Sequence, residues 1–229
     1  MMPRLDTTVI IPVANGERHI AECLTSVCSQ FSHTDEIIVV VDRSTDGTLA
    51  VLNRFLPRLK ILHSSGKGPS AARNLGITQA RGRLIAFLDH DDLWPPSRHQ
   101  ALRSALENDG SVNTAAGRIR IAVEDHADAQ SYVGLHGRHE PALLWSCLFR
   151  RQLIERAGLF DETMRFGEDN DYYHRLMEAG MTVVHCDVDS LIYRRHATNA
   201  TNAPPPRDAL LVDLVVRKLN RKRNREKNE

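Results

Sequence analysis

No uninterrupted apolar run in the 229 residues approaches the ~20 needed to cross a bilayer. Residues 1–6 carry no long apolar core followed by a small-residue cleavage site, so no signal peptide is expected. Cysteine is scarce. Cys23, Cys28, Cys147 and Cys186 show no CxxC spacing, which argues against a zinc ribbon or a redox pair. A strong charge of one sign is also missing, since the formal net charge is +1. These absences point to a soluble, reduced, cytoplasmic chain.

What is present is enough for a folded domain. Apolar residues make up 41% and charged residues 26%, which excludes a wholly disordered chain. The length suits one sizeable domain, or one domain with a small appendage, held by a core of its own. The near-zero charge hides an asymmetry. Residues 207–229 hold eight Lys/Arg against four acids, whereas the rest of the chain holds 22 against 25. The tail is basic and the body is near neutral, with no nucleic-acid-binding face.

The first 90 residues alternate two periods. Apolar runs at Thr7–Ile11, Glu36–Val41, Leu59–Leu62 and Leu84–Leu88 read as buried strands. Between them, residues 18–30, the stretch opened by Thr45-Asp46-Gly47, and the stretch opened by Pro69 carry helical spacing. Four such alternations predict βαβ units and a mostly parallel α/β sheet. The second half is less regular. Helices are expected at Pro95–Leu106, Gln152–Ala157 and Glu168–Ala179, the last stopped by Gly180. Weak strand signals lie at Ile119, Ile121 and Val123, and further strands at Thr182–Cys186 and Leu191–Tyr193. A proline-containing linker over 197–206 precedes an amphipathic helix at Asp208–Asn220.

Ligands of such sheets bind beyond the carboxyl ends of the strands, so the residues there carry the chemistry. Asp89-His90-Asp91-Asp92 follows a strand directly. Its crowded carboxylates suit either a hard divalent cation carrying a diphosphate or a solvated acidic turn. Asp42, at another strand end, can accept hydrogen bonds from a base or ribose, or serve as turn chemistry. Gly66 to Ala71 matches G-x-G-x-x-A, but at the third strand–helix turn, where a dinucleotide fingerprint is out of place. The same turn can set Arg73 near a phosphate at a helix start. Glu168, Asp169 and Asp171 crowd another helix start, either as dipole partners or as a general base.

Taken in order, these segments resemble family 2 glycosyltransferases with a GT-A fold. The resemblance rests on Val9-Ile10-Ile11-Pro12-Val13, Asp42 to Thr48, Gly68 to Gly76, Phe87 to Asp92, Gly158 to Glu162, and Gly167-Glu168-Asp169. It runs from about residue 7 to about residue 196. It implies a Rossmann-like, mostly parallel central sheet flanked by helices, with a C-terminal helical tail. Residues 1–203 would form the glycosyltransferase domain, with a nucleotide-sugar half over about 1–110 and an acceptor half over about 111–203. Residues 204–229 would be linker and basic tail.

By the same resemblance, Pro12, Val13, Asp42, Arg73 and Asp89 match nucleotide-sugar positions. Asp91 matches the metal ligand of a DxD element, His196 a looser metal- and diphosphate-side position, and Asp169 the catalytic base of an inverting transfer. The implied cofactor is Mg2+ or Mn2+, and the implied donor a UDP-sugar. The acceptor would be a saccharide, lipid-linked or other small molecule. Two alternatives stand beside this reading: a nucleotidyltransferase of similar fold, and a non-catalytic nucleotide-sugar-binding module. For the tail, three readings stand: a solvated helix end, a peripheral contact with the inner face of a membrane, or a homodimer contact.

Overall fold

The computed structural model describes residues 6–124, 136–139, 143–164 and 166–199, together with Arg217 and Arg221. The polar stretch after Glu124, most of the proline linker and most of the expected tail helix lie outside the described residues. Arg217 and Arg221 are themselves helical.

One seven-stranded sheet organises the chain, in the order β3-β2-β1-β4-β6-β5-β7. Strands β1 (Thr7–Val13) and β2 (Glu36–Val41) are buried at every position. That is why they read as continuous apolar runs rather than alternating ones: helices cover both faces. β3 (Leu59–His63), β2, β1 and β4 (Leu84–Phe87) are mutually parallel. β6 (Cys147–Arg150) runs antiparallel to both β4 and β5 (Thr114–Val123), and β7 (Val183–Arg195) returns parallel to β5.

Helices supply the crossovers. α1 (Ile20–Cys28) buries Ile20, Cys23, Leu24 and Val27, an i, i+3, i+4, i+7 stripe. α2 (Thr48–Asn53) and α3 (Pro69–Gln79) follow β2 and β3. α3 lies so close to the sheet that a Cβ on Gly76 would sit 2.3 Å from Ile10 Cγ2. α4 (Arg98–Asn108), α5 (Arg151–Ala157) and α6 (Glu168–Glu178) belong to the second half. Among the described residues, no helix is long and apolar enough to cross a membrane.

Three differences from the sequence reading have physical causes. The two expected strands near residues 182–193 are one 13-residue strand, β7. The gap between the two expected strands holds Asp187 and Asp189, and these acids are cross-strand partners of Arg118, with Asp189 also facing Arg120 at 3.8 Å. A register shift near Gly117 absorbs the mismatch. β6 carries no pattern of its own in four residues and forms only because β4 and β5 flank it. α4 begins at Arg98 rather than Pro95, because Ser97 takes a left-handed φ of 66°.

Candidate active site

The sheet order places β1 between β2 and β4, so chain progression reverses there. The crevice beyond the carboxyl ends of these strands is the expected ligand position. Three loops border it: those after β1, β2 and β4.

The first two loops are tied together. The amides of Asn15, Gly16 and Glu17 donate to Ser44 Oγ (3.0 Å), Thr48 Oγ1 (2.9 Å) and Asp46 Oδ2 (3.0 Å). Asn15 Oδ1 in turn accepts from the Thr45 amide at 2.8 Å. Pro12 and Val13 are buried in the last positions of β1, beneath this knot. Asp42 faces the β3 side. Its Oδ2 accepts from the Gly68 amide at 2.9 Å and its Oδ1 from the Ser64 hydroxyl. It thereby fixes the turn that leads into α3.

α3 delivers Arg73, whose side chain is only 3% exposed. One guanidinium nitrogen donates to Asp89 Oδ1 at 2.8 Å, at the end of β4. The other donates to Glu168 Oε1 at 3.0 Å, in the first turn of α6. Its carbon lies 4.3 Å from the ring centroid of Trp145, which supplies a cation–π face. A single buried arginine thus draws the second half of the chain over the sheet's carboxyl edge. The neighbouring Asn74 reinforces the join. It accepts from the Phe160 amide at 2.7 Å and donates to the Phe160 carbonyl at 3.0 Å.

The loop after β4 concentrates negative charge. Carboxylate oxygens of Asp89, Asp91 and Asp92 lie within 4.8 Å of one another. Burial pushes Asp92 well up from the ordinary carboxylate range, with the charges of Asp91 and Asp89 adding to it. Asp89 is also raised, by burial against the counteracting Arg73. Asp91 goes the other way: burial opposes ionisation, but the hydrogen bond from His196 and the charge of His90 outweigh it. Asp92 Oδ1 accepts from the Arg194 amide at 2.9 Å. Its Oδ2 is buried and has no hydrogen-bond partner among the described residues. Three hard oxygen donors, one carrying an orphaned atom, fit a divalent cation such as Mg2+ or Mn2+.

β7 closes the crevice from above. Leu93 and Ile192 exchange backbone bonds of 3.1 and 2.9 Å, pinning the strand's end to the loop after β4. Arg194 reaches the Asp91 carbonyl and the Glu22 carboxylate. His196 Nε2 lies 3.0 Å from Asp91 Oδ2, its Nδ1 lies 2.9 Å from Thr198 Oγ1, and its ring stacks on His19 at 4.6 Å. Both ring nitrogens are therefore engaged, and the imidazole steers the Asp91 carboxylate.

The three acids at the start of α6 are distinguished by their partners. Glu168 is spent on Arg73. Asp171 is 1% exposed and is paired with Arg175 and Arg221. Asp169 has no cation of its own among the ion pairs of the described residues. Burial and the adjacent Glu168 charge push its carboxyl up. Gly167, at φ 71°, makes the turn that presents this helix start.

Of the residues expected from sequence, Arg73 pairs with Asp89 and His196 with Asp91, the two acids bring their carboxylates within 4.8 Å, and the Asp169 helix start joins them through Glu168. Pro12 and Val13 are the floor of the crevice, and Asp42 stands on the β3 flank. The burial of Asp92 and the bridging role of Glu168 were not singled out, and Trp145, expected as a packing residue or as lining the acceptor side, is buried against Arg73. Asp92 was visible as the third acid of its run, but its burial was not. That Trp145 would stack on Arg73 was not visible, since the two are remote in sequence.

An α/β sheet of this order, with an acidic crevice at its switch point, has the GT-A type of fold. The solved structure of S. aureus TarS 1–349 superposes with a TM-score of 0.71 at 22% identity, over 83% of this chain and 60% of that one. Its complex with UDP-GlcNAc gives a TM-score of 0.73 at 19% identity, over 88% and 62%. Residues 8–167 match the model of glycosyl transferase family 2, and the chain belongs to that family. It is 29% identical over 221 residues to EpsJ of Bacillus subtilis (strain 168), described as an uncharacterized glycosyltransferase; the match covers 86% of this chain and 63% of that protein. It is 36% identical over 235 residues to YibD of Escherichia coli (strain K12), described likewise, over 85% of this chain and 68% of that one. The chain thus spans about two thirds of the length of these relatives.

Proposed function

We propose that this chain transfers a glycosyl group from a nucleoside diphosphate sugar, a UDP-sugar by preference, to an acceptor hydroxyl with inversion. The observation that carries this reading is the Arg73 bridge. It ties Asp89, the ribose-side acid of this reading, to the helix start bearing Asp169, which supports nucleotide-side and base-side carboxylates sharing one crevice.

In this reading the end of β1 at Pro12 and Val13 and the Asp42 carboxylate hold the base side of the nucleotide, and Asp89 the ribose side. Asp91, with Asp89 and Asp92, would hold Mg2+ or Mn2+, which supplies Lewis-acid stabilisation of the departing diphosphate. His196 belongs to this metal side and acts by orienting Asp91. Asp169 takes the proton of the acceptor hydroxyl as its oxygen bonds to the anomeric carbon and the carbon–oxygen bond to the diphosphate breaks. A carboxylate whose proton affinity is raised by burial is a better base than an exposed one.

The rival nucleotidyltransferase reading needs free amides after β1 to grip a triphosphate. Those of Asn15, Gly16 and Glu17 already donate to side chains. A purely binding module has no use for Asp169. The test is turnover of a panel of UDP-, GDP- and dTDP-sugars with and without Mn2+. Release of free nucleoside diphosphate that requires the metal supports the reading, and no turnover of any donor sinks it.

A further inference from the structure

The basic tail is not wholly given to solvent. Arg217 and Arg221 lie four residues apart in helical backbone, so they share one face. Arg217 Nη1 donates to Asp161 Oδ2 at 2.5 Å and to Thr163 Oγ1 at 3.0 Å. Arg221 Nη1 donates to Asp171 Oδ1 at 2.6 Å. Their targets stand on the two segments that frame the candidate base. Asp161 belongs to the turn after Phe160, where its Oδ1 accepts from the Thr163 amide at 2.9 Å. Asp171 belongs to the first turn of α6, two positions after Asp169. Phe160 stacks on Tyr172 with centroids 3.8 Å apart, so turn and helix already meet at an apolar contact. The two arginines add a charged contact to each segment.

The helix geometry separates the roles. Positions 169 and 171 point about 200° apart around the axis, so a pull on Asp171 bears on the face opposite Asp169. Asp171 is 1% exposed and takes both Arg175 and Arg221. Arg175 is on the same helix and cannot anchor it to anything outside α6 except the carbonyls of Ala157 and Leu159. Arg221 comes from beyond the domain's last strand.

We propose that Arg217 and Arg221 form a C-terminal strap that holds the 160–163 turn and the first turn of α6 in register, and are thereby positioning residues for Asp169. The proposal rests on Asp169 being the base. Two of the tail's eight cations then serve the chain's own site rather than a lipid surface or a second copy.

The test uses the full chain. Amide hydrogen exchange is followed in peptides covering residues 158–164 and 166–178, for the parent and for the Arg217→Ala/Arg221→Ala and Arg217→Lys/Arg221→Lys double variants. The strap predicts about tenfold faster exchange in both segments for the alanine variant and substantial recovery with lysine, because charge is retained. UDP–Mn2+ affinity by calorimetry stays within about twofold. With whichever donor of the panel the parent turns over, kcat for hydrolysis falls about tenfold in the alanine variant while the donor KM holds. A purely structural loss would lower the melting temperature without this split. Unchanged exchange, or equal exchange in the alanine and lysine variants, overturns the strap. Faster exchange with full kcat overturns its positioning role. Asp169→Asn is run in parallel. If that variant keeps full hydrolysis, the base assignment has failed, while the exchange data still decide the strap.

Discussion

The two ends of the sheet use the same residue types to opposite effect. At the amino end, acids meet bases one for one. Glu36 accepts from Thr8 Oγ1, the Arg81 amide and the Arg81 guanidinium at 2.8–3.1 Å. Asp6 pairs with Arg83 and Arg103, and so does Glu107. Asp6 is accordingly held below the usual carboxylate range, because Thr34 and the two arginines outweigh its burial. At the carboxyl end, Asp89, Asp91 and Asp92 crowd together and Asp169 sits beside Glu168. Burial and like charge raise three of the four: Asp89, Asp92 and Asp169. Paired charge locks a fold, whereas crowded carboxylates with raised proton affinity mark a candidate ligand site. The contrast points to the candidate site independently of any motif.

The sharpest way to break the comparison is to neutralise one group at the crowded end. Asp169→Asn should lower transfer by about 10²–10⁴-fold, the size of a general-base contribution, while UDP binding by calorimetry is preserved. Because the carboxyl is raised in the folded protein, the acid limb of the kcat profile should lie above the ordinary aspartate range and vanish in this variant. A variant of normal rate would remove Asp169 from the chemistry.

The amino end makes a different prediction with pH. His99 is buried against Thr7 at 2.9 Å, and burial drops its pKa from 6.5 to about 4 despite Asp35 nearby. The unfolded chain therefore takes up a proton near pH 6.5 that the folded chain accepts only near pH 4. Stability should fall as pH drops through that window, by an upper bound of about 3 kcal/mol. Urea midpoints at pH 7 and pH 4.5 measure it, and His99→Gln should flatten the difference. A parent whose midpoint is the same at both values contradicts the burial argument.

Asp91→Asn returns to the crowded end. An amide is a poor partner for a hard dication, so Mn2+-dependent UDP affinity should weaken by about 10–100-fold, with metal-free affinity little changed. Equal affinity in variant and parent would take Asp91 out of the metal site. The smallest effect belongs to the paired end. Glu36→Gln keeps the shape but removes the charge facing Arg81, and should cost about 1–2 kcal/mol of stability. Its donor kinetics should be untouched; a change in kcat would mean the two ends are coupled.

Much of this was legible in the sequence, for local reasons. β1, β2 and β4 announce themselves because a strand buried on both faces must be apolar at consecutive positions. The acids Asp42, Asp89 and Asp91 are legible because a parallel α/β sheet places its ligands at strand ends, so a carboxylate just after an apolar run is already near the crevice. Asp169 could be placed at a helix start by its preceding glycine. Periodicity and turn chemistry are properties of neighbouring residues, and the chain displays them directly.

The rest depended on groups distant in sequence. Arg73 and Glu168 are 95 residues apart, and their bond exists only because α6 packs over the carboxyl edge. Which of three adjacent acids is left without a cation was decided by Arg73, Arg175 and Arg221, arriving from three different segments. β6 is a strand because β4 and β5 pair with it on either side, and the two expected strands of β7 join where Arg118 and Arg120 face Asp187 and Asp189. A side chain's partner and its burial are set by packing across the whole sheet. The sequence determined which groups could reach the crevice, and the tertiary contacts determined what each of them faces there.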